Sequence, residues 1–188
     1  MLQQVTETLR YICGELRPPT LAPFGLEVAL RSYMTRFQEA YPALDVQVDL
    51  MHDAQCLPEQ MRLALFRVYQ EALNNIVKHA QASCVLVRLA LDENEVTLEI
   101  RDDGHGFTIP DRLLELARQG HLGLLGIEER VRSIRGRLEI ESAPDEGTLV
   151  RVVAPLLDQL SSPVPQQPRD SALPMPSLHL DNNPARSI

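Results

Sequence analysis

The sequence predicts an α+β fold, a two-layer sandwich in which one mixed sheet is covered by a single helical layer. Two kinds of hydrophobic spacing predict it. Apolar residues recur every three or four positions in long segments, and they alternate with polar residues in shorter ones. The short segments follow one another as hairpins rather than as regular βαβ units, which favours the sandwich.

The helical segments carry recognisable boundaries. Pro18 and Pro19 end an N-terminal amphipathic helix whose apolar face needs a partner, and Pro58 lies near the start of the longest helix. Gly136 ends the last helix. The predicted helices are residues 2–16, 26–40, 58–80, 112–118 and 127–135.

The strand segments alternate with a period of two. Val96, Leu98 and Ile100 share one face of their segment, while the residues between them are polar. The predicted strands are residues 45–50, 84–91, 96–102, 137–141 and 148–154.

Charge and composition exclude several classes of protein. The 188 residues include 18 basic and 26 acidic side chains, a net charge of −8, which argues against direct binding of nucleic acid. No apolar run is long enough to span a membrane, and the N-terminus lacks a signal pattern, so we expect a soluble, cytoplasmic chain without membrane contact. Cys13, Cys56 and Cys84 lack CxxC spacing and are expected to be reduced, buried packing residues, with no disulfide framework or zinc site.

A polar stripe is predicted on the longest helix. Its members are Glu71, Asn75, Lys78 and His79, at offsets of 0, 4, 7 and 8. An amide oxygen suits a hard cation such as Mg²⁺, Lys offers charge to phosphate, and His can donate a hydrogen bond. Exposed Glu, Asn and Lys are also common on a solvated helix face, so the stripe alone leaves that alternative open.

The second chemical element follows the strand at residues 96–102. Asp102 continues its apolar face, so the carboxylate is expected to point inward, where an acceptor suits the amino group of adenine. Gly104 and Gly106 would let the backbone approach a flat ring. The alternative is an ordinary strand-to-loop turn.

A third element is the glycine cluster at residues 120–126, directly before the helix expected at 127. Backbone amides at a helix N-terminus form a phosphate site, although a flexible loop has the same composition. The GxxxxGK[ST] phosphate loop is absent from the sequence. The segment 108–119, between the glycine clusters, could fold over a nucleotide as a lid.

In this order the three elements resemble the N, G1 and G2 boxes of the GHKL ATP-binding superfamily, which includes gyrase-type and MutL-type ATPases and sensor histidine kinases. More narrowly, the chain resembles nitrate-sensor-type bacterial histidine kinases, which signal to response regulators with LuxR-type DNA-binding domains. The resemblance covers roughly residues 8–154. Its segments are GELRPPTLAPFGLEVALR, QEALNNIVKHAQAS, DDGHGF, GHLGLLGIEERV and GRLEIESAPDEGTLV.

The resemblance implies a Bergerat-type fold that binds ATP and Mg²⁺, and it implies roles for individual residues. Asn75 would be the Mg²⁺ ligand, and Glu71 would orient or assist in catalysis. The other implied nucleotide contacts are Lys78 and His79 at phosphate, Asp102 at adenine, Gly104 and Gly106 in the purine-side loop, Gly123, Leu124 and Gly126 at the lid, and Thr148 behind the adenine.

The resemblance also implies a division of the chain. Residues 1–19 would be a remnant of a dimerisation hairpin, residues 20–155 the catalytic domain, and residues 156–188 a proline-rich disordered tail. The phosphate-accepting histidine of the family has no counterpart on a suitable helix. His52 precedes Asp53 as in the family, but it follows a strand in a predicted loop and is not favoured as the acceptor.

The leading hypothesis is the catalytic domain of a two-component sensor histidine kinase, which transfers the γ-phosphoryl group of Mg-ATP to a histidine outside this chain. Its partners would be ATP, a LuxR-type response regulator, and a second kinase chain bound through the N-terminal helix as a homodimer or heterodimer. The alternatives are a non-phosphorylating ATP-binding module that pairs with a full kinase, and an anti-sigma-type serine kinase.

Overall fold

The computed structural model describes residues 20–109 and 122–156, the side chain of Leu122 excepted. The predicted helices at 2–16 and 112–118 and the predicted tail lie outside these residues, apart from Leu156. The elements are α1 (Leu21–Ala40), β1 (Asp45–Leu50), α2 (Glu59–Asn75), a π-helical turn (Ile76–Ala80), β2 (Cys84–Leu91), β3 (Glu95–Asp102), α3 (Leu122–Ser133), β4 (Arg137–Ser142) and β5 (Thr148–Pro155).

The strands form one mixed sheet in the order β1-β2-β3-β5-β4. β1 runs parallel to β2, and the other neighbours pair antiparallel. The predicted mixed sheet under a helical layer is confirmed, and β1 and β2 have the predicted bounds. None of the helices in the described part of the chain is long and apolar enough to cross a membrane.

The core lies between the helices and the inner face of the sheet. Alternate residues of β2, β3 and β5 are buried, as the period-two pattern predicts. The helices bury their own apolar stripes against them, and each fully buried large side chain contributes about 1.5–3 kcal/mol. Fully buried examples are Leu26, Leu30, Met61, Leu65, Leu73, Ile127, Val87, Leu98 and Val152.

The outer face of the sheet carries a row of alternating charges across the strands, next to the apolar side chains of Leu86 and Leu149. Arg151 contacts Glu99 at 2.5 Å and Glu139 at 3.1 Å, and Arg88 contacts Asp49 at 3.3 Å. Opposite charges on neighbouring strands favour this register, although exposed pairs contribute little to stability. The charged row lies on the outer face, and the opposite, inner face carries the core.

α1 begins five residues before the predicted start at residue 26, and it is kinked at Gly25, which has φ 89° and ψ −178°. The carboxylate of Asp53 accepts the N–H of Leu26 at 2.9 Å and that of Glu27 at 3.4 Å. Asp53 therefore caps the second part of the helix, a task that a residue next to the helix usually performs.

Two further departures concern α3 and the cysteines. α3 begins at Leu122 and not near residue 127, so Gly123 and Gly126 lie within a helix. Cys56 is exposed and Cys84 is partly exposed, so the prediction of buried packing residues is wrong for both; Cys13 lies outside the described residues. Cys56 follows two left-handed residues, Ala54 and Gln55, in a loop that projects its side chain outward.

Candidate functional site

A cavity of about 310 Å³ opens between the C-terminal end of α2 and the inner face of β3 and β5. Its size is in the range of small-molecule sites, and apolar side chains form most of its wall. Its polar lining residues are Asn75, His79, Asp102 and Thr148, and its other described lining residues are Ala72, Ile76, Ala80, Ile100, Gly106, Phe107, Leu124 and Val150.

Asp102 is the buried acid of this cavity, with 6% of the residue exposed. Its Oδ1 accepts the N–H of Gly104 at 2.9 Å. Burial raises the pKa of this carboxyl above its usual range, and backbone hydrogen bonds from Gly104 and Thr148 oppose that rise. An ionised Asp102 presents acceptors only, so this part of the wall suits a ligand that donates hydrogen bonds.

The π-helical turn supplies the opposite side of the cavity. Asn75 ends α2, and His79 lies in the turn, which closes at the left-handed residue Gln81 with φ 49°. Both Asn75 and His79 line the cavity, whereas Lys78 is exposed and does not. The predicted stripe assumed an α-helical period throughout; a π-helical turn holds more residues per turn, so positions after Asn75 are rotated away from that prediction.

The loop after β3 packs against protein backbone at both of its glycines. A Cβ on Gly104 would lie 2.4 Å from the carbonyl oxygen of Ala80, and one on Gly106 would lie 2.1 Å from that of Ala143. Gly106 also has φ 57° and lines the cavity. These glycines allow the loop to pack against the π-helical turn and the β4–β5 turn. The sequence suggested a different reason, the close approach of a flat ring.

Gly123 brings the first turn of α3 against the end of α2. A Cβ at this position would lie 2.1 Å from Glu71 Oε1 and 3.3 Å from Asn75 Oδ1. Leu124, the next residue, is buried and lines the cavity. At Gly126 the nearest atoms belong to the flexible guanidinium of Arg130, so no packed neighbour requires a glycine there.

The sequence did not single out Ser142, which joins three parts of the site. Its hydroxyl contacts the N–H of Phe107 at 2.9 Å, the carbonyl oxygen of Gly147 at 2.9 Å and Thr148 Oγ1 at 3.1 Å. The alternation of β4 would have placed Ser142 on the same face as Ile140, one residue past the predicted end of the strand. This alternation was the only feature of the sequence that pointed to Ser142 as a residue of the inner face.

Among residues 20–109 and 122–156, no group of three or more His, Cys, Asp or Glu side chains could hold a metal ion. A cation that needs three such side chains therefore has no site among these residues. A Mg²⁺ ion commonly uses one or two protein oxygens and takes its other ligands from phosphates and water, which the single amide oxygen of Asn75 fits.

A buried acceptor, apolar walls and a helix end beside one cavity define a small-molecule-binding domain of the α+β class. Residues 60–158 match the family of histidine kinase-, DNA gyrase B-, and HSP90-like ATPases, and the chain belongs to this family of ATP-binding domains. The resemblance drawn from the three boxes is therefore confirmed.

Curated relatives refine this placement. The oxygen sensor histidine kinase NreB of Staphylococcus carnosus is 34% identical over 158 residues, which are 84% of this chain and 44% of NreB. UhpB of Salmonella typhimurium, a signal transduction histidine-protein kinase/phosphatase, is 36% identical over 151 residues, 80% of this chain and 29% of UhpB. The chain thus spans less than half the length of these relatives.

Solved structures agree on the fold. The histidine kinase domain of the blue-light activated histidine kinase from Erythrobacter litoralis superposes with a TM-score of 0.58 at 22% identity, covering 70% of this chain and 61% of that one. The Acinetobacter baumannii histidine kinase AdeS gives a TM-score of 0.55 at 17% identity, covering 84% of this chain and 82% of that one.

Proposed function

We propose that this chain is the catalytic domain of a two-component sensor histidine kinase. It binds Mg-ATP and transfers the γ-phosphoryl group to a histidine on another helix of the complete kinase, for relay to a response regulator with a LuxR-type DNA-binding domain. The observation that carries the proposal is the buried carboxylate of Asp102, placed across one cavity from Asn75 and His79.

At the base end of the cavity, Asp102 accepts a hydrogen bond from the amino group of adenine. Ile76, Ile100 and Val150 supply apolar surface for the faces of the ring. The carbonyl oxygen of guanine would meet the Asp102 carboxylate as a second acceptor, so the site selects adenine.

At the phosphate end, Asn75 would hold Mg²⁺ through its amide oxygen, and His79 would donate a hydrogen bond to a phosphate oxygen. Lys78, which precedes His79 in the π-helical turn and is exposed, contributes positive charge at this end of α2. Mg²⁺, when bound, neutralises charge on the phosphates. The N-terminus of α3 adds its backbone amides, and Glu71, which contacts Gly123, orients the groups at the transferred phosphate.

The acceptor histidine comes from outside the described residues. His52 lies in the loop after β1 and contacts Glu27 at 3.2 Å, His105 contacts Gln81 at 2.9 Å, and His79 lines the cavity. None of these three histidines lies on a separate helix that could present it to the nucleotide as a phosphate acceptor. The complete kinase would present its acceptor on a dimerisation helix, with residues 2–16 as part of the pairing surface.

Titration calorimetry with ATP tests the binding step. Asp102→Asn should weaken ATP binding at least about tenfold, because an amide replaces an ionised acceptor, whereas Glu93→Gln, the same charge change in the exposed β2–β3 turn, should not. Asn75→Ala should abolish the Mg²⁺ dependence of ATP affinity, and Asn74→Ala, on its exposed neighbour, should preserve it. Undiminished affinity in Asp102→Asn would refute the adenine assignment.

The transfer step is tested with radiolabelled ATP and a helical hairpin that carries the acceptor histidine of a sensor kinase. The expected product is acid-labile phosphohistidine on the hairpin. Acid-stable phosphoserine would instead indicate a serine kinase, and ATP binding without transfer would indicate a non-phosphorylating module.

A further inference from the structure

Three polar residues lie side by side on the inner face of the sheet, one on each of three neighbouring strands. Asp102 of β3 pairs with Thr148 of β5, and Thr148 pairs with Ser142 of β4. Side chains opposite one another in paired strands share a face. Asp102 and Thr148 line the cavity, and Ser142 lies behind Thr148.

The hydrogen bonds of Ser142 leave one consistent arrangement of protons. A serine hydroxyl has one proton and two lone pairs. The carbonyl of Gly147 can only accept, so the single proton of Ser142 goes to it at 2.9 Å. The N–H of Phe107 can only donate, so it occupies one lone pair of Ser142, also at 2.9 Å.

The contact between Ser142 and Thr148 therefore has a fixed direction. With the Ser142 proton already given to Gly147, the 3.1 Å contact is a bond from the Thr148 hydroxyl to the second lone pair of Ser142. Thr148 then has no proton left for the cavity. Its oxygen faces the ligand with lone pairs, beside the acceptor-only carboxylate of Asp102.

We propose that Ser142 is a positioning residue that fixes the direction of the Thr148 hydroxyl, so that Thr148 acts toward the nucleotide base as an acceptor only. The inference rests on the proposed function, because it assumes that a purine nucleotide occupies this cavity. Ser142 thereby sets specificity without contacting the base. A base with an amino group at position 6 can donate to both acceptors, whereas hypoxanthine can donate from N1–H to one of them and directs the lone pairs of its carbonyl toward the other.

The test compares ATP with inosine triphosphate, which carries a carbonyl at position 6, by measuring the dissociation constants of both for each variant. In Ser142→Ala, Thr148 loses its fixed acceptor and can turn its proton toward a carbonyl. The preference for ATP over inosine triphosphate should fall roughly 3- to 10-fold, the factor that one neutral hydrogen bond contributes. A purely structural role would weaken both nucleotides by the same factor and leave the ratio unchanged.

Three controls complete the test. Ser142→Thr keeps the hydroxyl and should retain the wild-type ratio, while Ser133→Ala, the same change at the exposed end of α3, should retain both affinities. In a Thr148→Val background, Ser142→Ala should produce no further change in the ratio. An unchanged ratio in Ser142→Ala, with ATP still bound by the unaltered chain, would overturn this inference alone. Failure of the unaltered chain to bind ATP would overturn the proposed function with it.

Discussion

Gly25 and Asp53 are in direct contact: a Cβ on Gly25 would lie 2.5 Å from Asp53 Oδ1. The same carboxylate accepts the N–H of Leu26, and Asp53 is completely buried. The two residues depend on each other. The kink at Gly25 frees the amide that the carboxylate caps, and the missing side chain of Gly25 leaves room for that carboxylate. The start of α1 and the loop after β1 are thereby joined.

Gly25→Ala should destabilise the domain by about 2–4 kcal/mol, since the backbone conformation at φ 89° is nearly exclusive to glycine and the new methyl group meets Asp53. Chemical denaturation measures the loss. Gly126→Ala is the matched control for stability: it lies in a helix beside a flexible arginine and should be neutral or stabilising. Equal stabilities of the two variants would contradict this account of the kink.

Gly123→Ala should leave the domain folded but slow phosphoryl transfer by about tenfold or more. The new methyl group displaces the flexible carboxylate of Glu71, and small displacements of positioning groups have large effects on rate. The transfer rate to the acceptor hairpin is the measurement. In a Glu71→Ala background the same substitution should have little further effect; a full additional loss there would show that Gly123 acts by another route.

Asp102 should make the stability of the ligand-free domain depend on pH. Its pKa is raised in the folded state, chiefly by burial, so the folded state binds the proton more tightly than the unfolded chain. This contribution is fully present below the unfolded pKa and is lost as pH rises through the folded pKa. Urea denaturation should therefore show Asp102→Asn gaining stability relative to wild type as pH rises to neutrality; a constant difference across that range would contradict the burial effect.

ATP affinity should depend on pH in the opposite direction. Only the ionised carboxylate offers two acceptor oxygens, so binding should weaken as pH falls, beginning above the usual titration range of an aspartate. Calorimetry between pH 4 and 8 measures it. The difference between wild type and Asp102→Asn isolates this carboxyl from the titration of ATP itself, and it should shrink at acidic pH.

Cys56 should react with a thiol reagent faster than Cys84 when Cys13 is replaced by Ser. Cys56 is exposed, whereas burial and the nearby carboxylates of Asp45 and Asp103 raise the pKa of the Cys84 thiol and lower its thiolate fraction. Mass spectrometry of a time course identifies the labelled residue. Faster labelling of Cys84 would show that its surroundings are more open or more electropositive than described.

Hydrophobic spacing along the chain predicted the elements whose boundaries depend only on that spacing. β1 and β2 have the predicted bounds because alternation alone defines a strand with one buried face. The early start of α3 was missed because glycine disfavours helix, yet this helix is held by packing against α2, where Gly123 contacts Glu71. The π-helical turn was missed because the change of period after Asn75 leaves no mark on the apolar spacing.

In the candidate site, the residues that could be predicted were those with a chemical signature near a helix or strand end, such as Asn75 and Asp102. Ser142 and Asp53 could not be predicted, since each acts on a residue that only tertiary structure brings close. Asp53 caps an amide 27 positions earlier in the chain. The alternation of β4 places Ser142 on the same face as Ile140, but serine is common at strand ends, and this pattern does not identify the contacts of Ser142 with Gly147 and Thr148.

The row formed by Asp102, Thr148 and Ser142 also has a consequence for folding. Thr148 and Ser142 meet by local pairing of β4 with β5, but Asp102 joins them only after long-range pairing of β3 with β5, the slow type of contact to form. Chains in which β3 and β5 have not yet paired therefore lack the complete row. ATP at about 100 times its dissociation constant would raise the free energy of unfolding of the folded domain by about 2.7 kcal/mol. Chains with an incomplete sheet would not receive this stabilisation.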